Sequence, residues 1–250
     1  LTEAAIDLYD KNFDGKRKGP IQERVDLREV RKSFRYSGRT DADHITYALM
    51  DLLENNDVRY NRGMLDSKYN EFKLDTITSY NDRLVYGVAV SNKIDRGMLY
   101  VDMETFAFLK ISMERESRNQ EKYYYVNPSR DSLKMGRVWF RFSVEFEEYD
   151  KKLYPRRMHE SELNEIYSPK TGQVKIVSVE TIEFIVTQVH PGKENDKAQR
   201  IRYGHLLKTG EYHADFWKNY NTLKLTPVNE KLIRDLEKEV SLQEQFKSKN

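Results

Sequence analysis

From Val138 to Phe146 the chain alternates in steps of two. Val138, Phe140, Phe142, Val144 and Phe146 fall on one side, and Arg141, Ser143, Glu145 and Glu147 fall on the other. A two-residue period held this long defines a strand with one face to bury and one face for water, the pattern of an antiparallel sheet. The same period recurs around it. Leu84–Val90 sets Tyr86, Val88 and Val90 on one side, Met98–Met103 follows the turn-like Asp95-Arg96-Gly97, and the short Asp102–Thr105 link predicts a hairpin into Phe106–Met113. Leu153–Leu163 is expected to pair back, with Pro155 favouring a strand start or an edge. Ser168-Pro169-Lys170-Thr171-Gly172 is a turn signal leading into a long strand over Val174–Val189, whose alternation falters near Val177, the mark of a bulge.

Helical spacing appears at both ends. Leu1, Ala5 and Leu8 suggest a helix over residues 1–13. Residues 40–55 read as a helix opened by Thr40 and Asp43, with Ile45, Leu49, Leu52 and Leu53 on one face and a stop at Asn55-Asn56. A closing helix is expected from Pro227 after a Thr226 cap, with Val228, Leu232, Leu236 and Val240 in a stripe. No strand–helix–strand alternation points to a parallel sheet. The fold class expected is α+β, predominantly β: a curved antiparallel sheet, or half-barrel, with amphipathic helices packed on its concave face. The helical region occupies residues 1–60, the half-barrel 61–222 and the last helix 223–250, all in one domain.

Composition removes several classes of function. The chain has no cysteine, which excludes disulfides, thiolate catalysis and cysteine-bound metals. Of its 250 residues 38% are hydrophobic and 34% charged, with 43 basic against 41 acidic side chains and a net charge of +2. The two signs are interleaved, whereas a nucleic-acid binder gathers basic charge on one face, so no nucleic-acid partner is expected. The nearest approach to a basic patch is Lys16, Arg17 and Lys18 with Arg28, Arg31, Lys32, Arg35 and Arg39, which reads as solvated loop and polar strand. No apolar run is long enough for a membrane-spanning helix. The chain opens at Leu1 inside a structured pattern and carries no leader-like run, so a further upstream region is expected.

Motifs of known chemistry fail on inspection. Asp10, Asn12, Asp14 and Gly15 begin like a calcium loop, but its twelfth position is Ile21 instead of a bidentate Glu, and Lys16, Arg17 and Lys18 would repel the ion. His159-Glu160 begins like a zinc-protease helix, but Leu163 stands where the second His belongs. His205, His213 and Asp215 have no diagnostic metal spacing. Glu145, Glu147 and Glu148 sit side by side on one strand, not across a cleft as a glycosidase needs. Phe216, Trp217 and Tyr220 form an aromatic cluster, read first as packing and second as a ligand platform. No catalytic residue, cofactor or metal is expected.

Several stretches resemble a set of Gram-negative envelope proteins that join a carboxypeptidase-regulatory-like β-sandwich to a β-rich domain. They are Leu1-Thr2-Glu3-Ala4-Ala5-Ile6, Val30-Arg31-Lys32-Ser33, Tyr69-Asn70-Glu71-Phe72, Asn81 to Tyr86, Gly97 to Ala107, and Asp215-Phe216-Trp217-Lys218-Asn219-Tyr220-Asn221. The strand order is similar, more loosely, to outer-membrane lipoprotein-carrier half-barrels. The resemblance implies a periplasmic or outer-membrane-associated location and a non-catalytic module that binds or shields a lipid, a lipoprotein or an envelope partner protein. On this reading Val138, Phe140, Phe142, Val144, Phe146 and Trp217 are the expected ligand-binding residues. The alternatives are an interaction domain with a fully packed core, a hydrolase assembled from distant strands, and a transmembrane barrel.

Overall fold

The computed structural model describes residues 2–10, 23–33, 49, 65–116, 124–127, 133–168, 170–192, 197–200, 212–220 and 227–247. The chain gathers into two units, one of residues 1–50 with 192–250 and one of residues 51–191. The sequence reading had placed its divisions at 60/61 and 222/223.

The first unit is built on a three-stranded sheet in the order β1-β2-β11, where β1 is Thr2–Tyr9, β2 is Arg24–Lys32 and β11 is Gln199–Arg200. Strand β1 replaces the helix expected over residues 1–13. A register shift between Ala5 and Ile6 explains the misreading. A bulge breaks the two-residue period, so the apolar residues of a bulged strand fall at spacings that imitate a helix. Among the described residues three helices follow, α1 (Ala214–Tyr220), α2 (Pro227–Leu236) and α3 (Leu242–Lys247). Helix α2 starts at Pro227 as expected, since proline at the first helical position forfeits only an N–H that had no partner there. It ends at Leu236, short of the stripe's last member, Val240. The wholly buried Gln245 donates to the carbonyls of Leu236 (2.8 Å) and Val240 (2.7 Å) and bonds Ser33 Oγ, tying the end of α2 to the chain after β2. Ala5, Val25, Val30, Ala198, Trp217 and Leu242 are buried in this unit. Of the helix expected over 40–55 only Leu49, helical and buried, is among the described residues.

The second unit is one open, antiparallel, eight-stranded sheet in the order β10-β9-β8-β6-β5-β4-β3, with β7 also paired to β8. Its strands are β3 (Glu71–Tyr80), β4 (Arg83–Ser91), β5 (Asp95–Asp102), β6 (Phe108–Glu116), β7 (Tyr124–Asn127), β8 (Leu133–Tyr149), β9 (Lys152–Ser168) and β10 (Gln173–Ile185). Two-residue loops close two hairpins. Asn81 and Asp82 (φ 48° and 61°) join β3 to β4, and Asp150 and Lys151 (φ 48° and 62°) join β8 to β9. Paired left-handed residues match the twist of the flanking strands. Between β5 and β6 the buried Asp102 carboxylate accepts from Thr105 N (2.7 Å), Thr105 Oγ1 (2.8 Å) and Glu104 N (3.1 Å). The Thr105 donors hold the Asp102 pKa below the usual carboxylate value.

Register shows how the sheet divides its residues. Leu74, Val88, Leu99, Ile111, Val144, Met158 and Phe184 lie directly opposite one another in a row across seven strands. The next row on the same face is Phe72, Val90, Gly97, Met113, Phe142, Glu160 and Ile182. The centre of this face is core: Ile111 and Val144 have no exposed surface, and Leu99 and Met158 are each 3% exposed. The described helices α1, α2 and α3 all belong to the other unit. The predominantly β, antiparallel architecture is as expected, and helices packed on a concave face are not shown.

Candidate functional site

The best sequence strand is β8, and most of its expected ligand residues are brought together. Phe140, Phe142 and Val144 lie on the apolar face at 7%, 8% and 0% exposure, with the two phenyl rings 5.9 Å apart. Val138 and Phe146 are half-buried beside irregularities in the β8–β9 pairing, one between Arg137 and Trp139 and one between Glu145 and Phe146. Trp217 belongs to the other unit. There it is buried, with Phe216 and Tyr220 edge-on at 5.4 and 5.9 Å and the Arg31 guanidinium 4.3 Å over its ring. Arg31 also lies 5.0 Å from the Phe246 ring and pairs with Glu3. A cation held between two aromatic faces and a carboxylate is a packing element.

The weaker candidates disperse. Asp10 is described, whereas Asn12, Asp14 and His205 lie outside the described residues. His213 Nδ1 meets Glu29 at 2.7 Å. His159 and Glu160 are neighbours on a strand, so they point to opposite faces and cannot share an ion. Among the described residues no group of three or more His, Asp or Glu could hold a metal. Each carboxylate proposed as a glycosidase member has a basic partner: Glu145 with Lys110 (3.0 Å), Glu147 with Arg156 (2.8 Å) and Glu148 with Arg83 (2.6 Å). Of the basic residues considered for a patch, Arg28 pairs with Asp7 at 3.2 Å.

The polar face of the sheet carries one arrangement that sequence reading missed. Ser112, Ser143, His159 and Glu183 lie opposite one another on β6, β8, β9 and β10. A hydroxyl, an imidazole and a carboxylate in line suggest nucleophilic catalysis. The geometry does not complete it. His159 Nδ1 stands 4.0 Å from Glu183 Oε1 and has no hydrogen-bond partner among the described residues, and Arg157 occupies the Glu183 carboxylate. Strand N–H groups lie in the plane of the sheet, engaged in the ladder, so none faces this row to stabilise an oxyanion.

Burial holds the His159 imidazole pKa below its ordinary value, and nearby Arg157 adds to this, against opposing pulls from Glu183 and Glu145. The unfolded chain, with an ordinary imidazole titrating near pH 6.5, therefore takes up this proton first as pH falls. Stability tied to neutral His159 is fully present above that value and is lost as pH drops through it towards the lower folded value. The expected result is that His159→Gln loses less stability than the parent between pH 7.5 and 5, measured by urea midpoints. Parallel pH profiles would show that the imidazole takes up its proton at the same pH in the folded and unfolded states.

Sequence reading also missed that the strand following Tyr69 is an exposed edge. Every residue of β3 from Glu71 to Ser79 is exposed, including Phe72 (38%), Leu74 (56%) and Ile77 (56%), and Tyr69 just before it is 61% exposed. Leu74 and Phe72 continue the rows that are buried at Ile111 and Phe142. The signal was present in the spacing of Phe72 and Leu74 before a register break at Asp75. No protein-family profile matches the chain, and neither the curated proteins nor the solved structures contain a significant match.

Proposed function

We propose that this protein is a non-catalytic interaction module of the cell envelope that meets a lipid, a lipoprotein or a partner protein at the β3 margin of its apolar sheet face. One observation carries the reading: the row that is buried at Ile111 and Val144 continues through Leu99 and Val88 to the exposed Leu74, with the exposed Phe72 beside it and Ile77 on the same face beyond the bulge. Clustered apolar side chains at a sheet margin, unlike scattered ones, mark an interaction surface. The envelope location and the likeness to a helix-lidded, lipid-accepting half-barrel rest on the residue resemblance alone.

Exposure also supports the margin over the interior. Side chains that line an acyl cavity keep accessible surface even when the cavity is closed, and Ile111 and Val144 have none. That favours a close-packed centre, the form in which the module acts through its edges, and it moves the proposed surface from Val138–Phe146 to β3. The polar face contributes charge pairs in place of a basic patch: Glu114 lies between Arg96 (3.0 Å) and Arg141 (3.0 Å), which hold its pKa low.

The test is native mass spectrometry of the protein purified from cells, parent against Phe72→Ser/Leu74→Ser. Both positions are exposed, so the fold should survive, as a thermal melt would verify. A stoichiometric acyl species or protein partner on the parent, lost in the variant, is expected. Equal occupancy in both, or an unliganded mass for both, would overturn the margin as the binding surface.

A further inference from the structure

We propose that the partner at the β3 margin is a second copy of this chain, paired antiparallel with β3 about a two-fold axis at Phe72. The inference rests on the reading of β3 as the binding margin and names its occupant. Four observations converge on it.

Among the described residues β3 ends the sheet order, hydrogen-bonded to β4 on one side only. Its other edge presents unmade backbone hydrogen bonds, the groups through which sheets extend between chains. Exposure of every residue from Glu71 to Ser79 means that neither face of the strand is covered.

The charges are self-complementary. Glu71 and Lys73 stand opposite Ser91 and Ala89, on the polar face, and among the described residues neither is in an ion pair. A two-fold at Phe72 sets Glu71 of each copy opposite Lys73 of the other and makes two reciprocal ion pairs. On the apolar face it sets Phe72 against Phe72, with Leu74 diagonal to it, a cross-strand aromatic pair that removes exposed apolar surface from water. Moving the axis to Lys73 would set lysine against lysine.

The backbone limits the pairing in the same place. Asp75 is the extra residue of the register break between Leu74 and Thr76. An axis at Leu74 would also offer Lys73 to Asp75, but it would run the new ladder through the bulge. With the axis at Phe72 the regular segment before the bulge suffices. Edge lysines and bulges ordinarily keep copies apart. Here the bulge restricts association to one register, and Glu71 of the partner copy neutralises Lys73. So short a contact sits at the low end of specific interfaces, and a concentration-dependent monomer–dimer equilibrium is expected.

Sedimentation equilibrium of the whole chain gives the test. The parent should self-associate. Lys73→Glu and Glu71→Lys should each weaken association about tenfold, since each exchanges two attractive cross-strand pairs for two repulsive ones. The charge swap Glu71→Lys/Lys73→Glu should restore it to within about threefold. A parent that stays monomeric, single variants that associate normally, or a swap that restores nothing would each overturn the proposal. A second measurement uses the absence of cysteine. Phe72→Cys should form a disulfide dimer under a mild oxidant, because residues facing one another across an antiparallel pair have Cα atoms about 4.5–5.5 Å apart, within disulfide reach. Ile77→Cys, at a more exposed position, should still cross-link much more slowly, and equal rates would overturn the register. A monomeric parent whose Phe72→Ser/Leu74→Ser variant still loses a bound lipid or protein would leave the margin reading standing and sink self-pairing alone.

Discussion

Ile111→Ala is expected to cost the eight-stranded unit about 3 kcal/mol, within the range of about 2–5 kcal/mol seen when a buried Ile is truncated without collapse of its site. Ile111 has no exposed surface and stands between Leu99 and Val144 in the row that crosses seven strands. Its neighbours are fixed by ladders on both sides, so little relaxation can fill the space left behind. Val179→Ala is the contrast. Val179 is on the edge strand β10 and 61% exposed, and the change there should stay within about 0.5 kcal/mol. Urea unfolding can be read for each unit separately because the two tryptophans of the chain fall one in each, Trp139 in β8 and Trp217 in α1. On a Trp217→Phe background Trp139 reports the large sheet alone. Equal midpoints for the Ile111 and Val179 variants would mean that the apolar rows are not the core.

What could be read from sequence was what depended on neighbours in sequence. In a meander most strands pair with the next strand along the chain, so local period and local turns carry most of the topology. The alternation from Val138 to Phe146 yielded β8, and the Asp102–Thr105 link yielded the β5–β6 hairpin. The faltering period near Val177 appeared as a register shift between Val174 and Ile176. What failed depended on distant partners. Strand β1 pairs with β2 across a bulge, and its shifted period imitated a helix. For the helices expected as a lid, amphipathic spacing records that a face must be buried and not which surface will bury it, so their place could not be read from sequence. The β3 margin was hidden for the opposite reason. Phe72 and Leu74 follow the period of a buried strand, with Ile77 returned to the same face by the bulge at Asp75, and only the end of the sheet order shows that they stay exposed. The Ser143–His159–Glu183 row could not be read at all, because three strands must first take their register.

Gly97→Ala is expected to destabilise the same sheet by about 1–3 kcal/mol, against the usual expectation that alanine stabilises a strand by narrowing the unfolded ensemble by about 0.4–1 kcal/mol. A Cβ at Gly97 would stand 2.2 Å from the Ser112 carbonyl oxygen, 2.4 Å from Met113 Sδ and 3.2 Å from Met113 Cα. Met113 can turn its thioether away, but the carbonyl oxygen of Ser112 is fixed in the β5–β6 ladder, so the two strands must separate. Gly97 lies between Val90 and Met113 in the second apolar row, where its missing side chain leaves room for the Met113 thioether over β5. Gly87→Ala separates steric cause from chain entropy. There the nearest atom is Thr76 Cγ2 at 2.6 Å, and the nearest backbone oxygen is 3.6 Å away. Thr76 is on exposed β3, where its side chain can rotate into water, so the substitution should change stability by less than about 0.5 kcal/mol. Urea midpoints of the two glycine variants decide the matter. A neutral Gly97→Ala would show that β5 and β6 can part without loss, and with it the claim that this row is close-packed would fall.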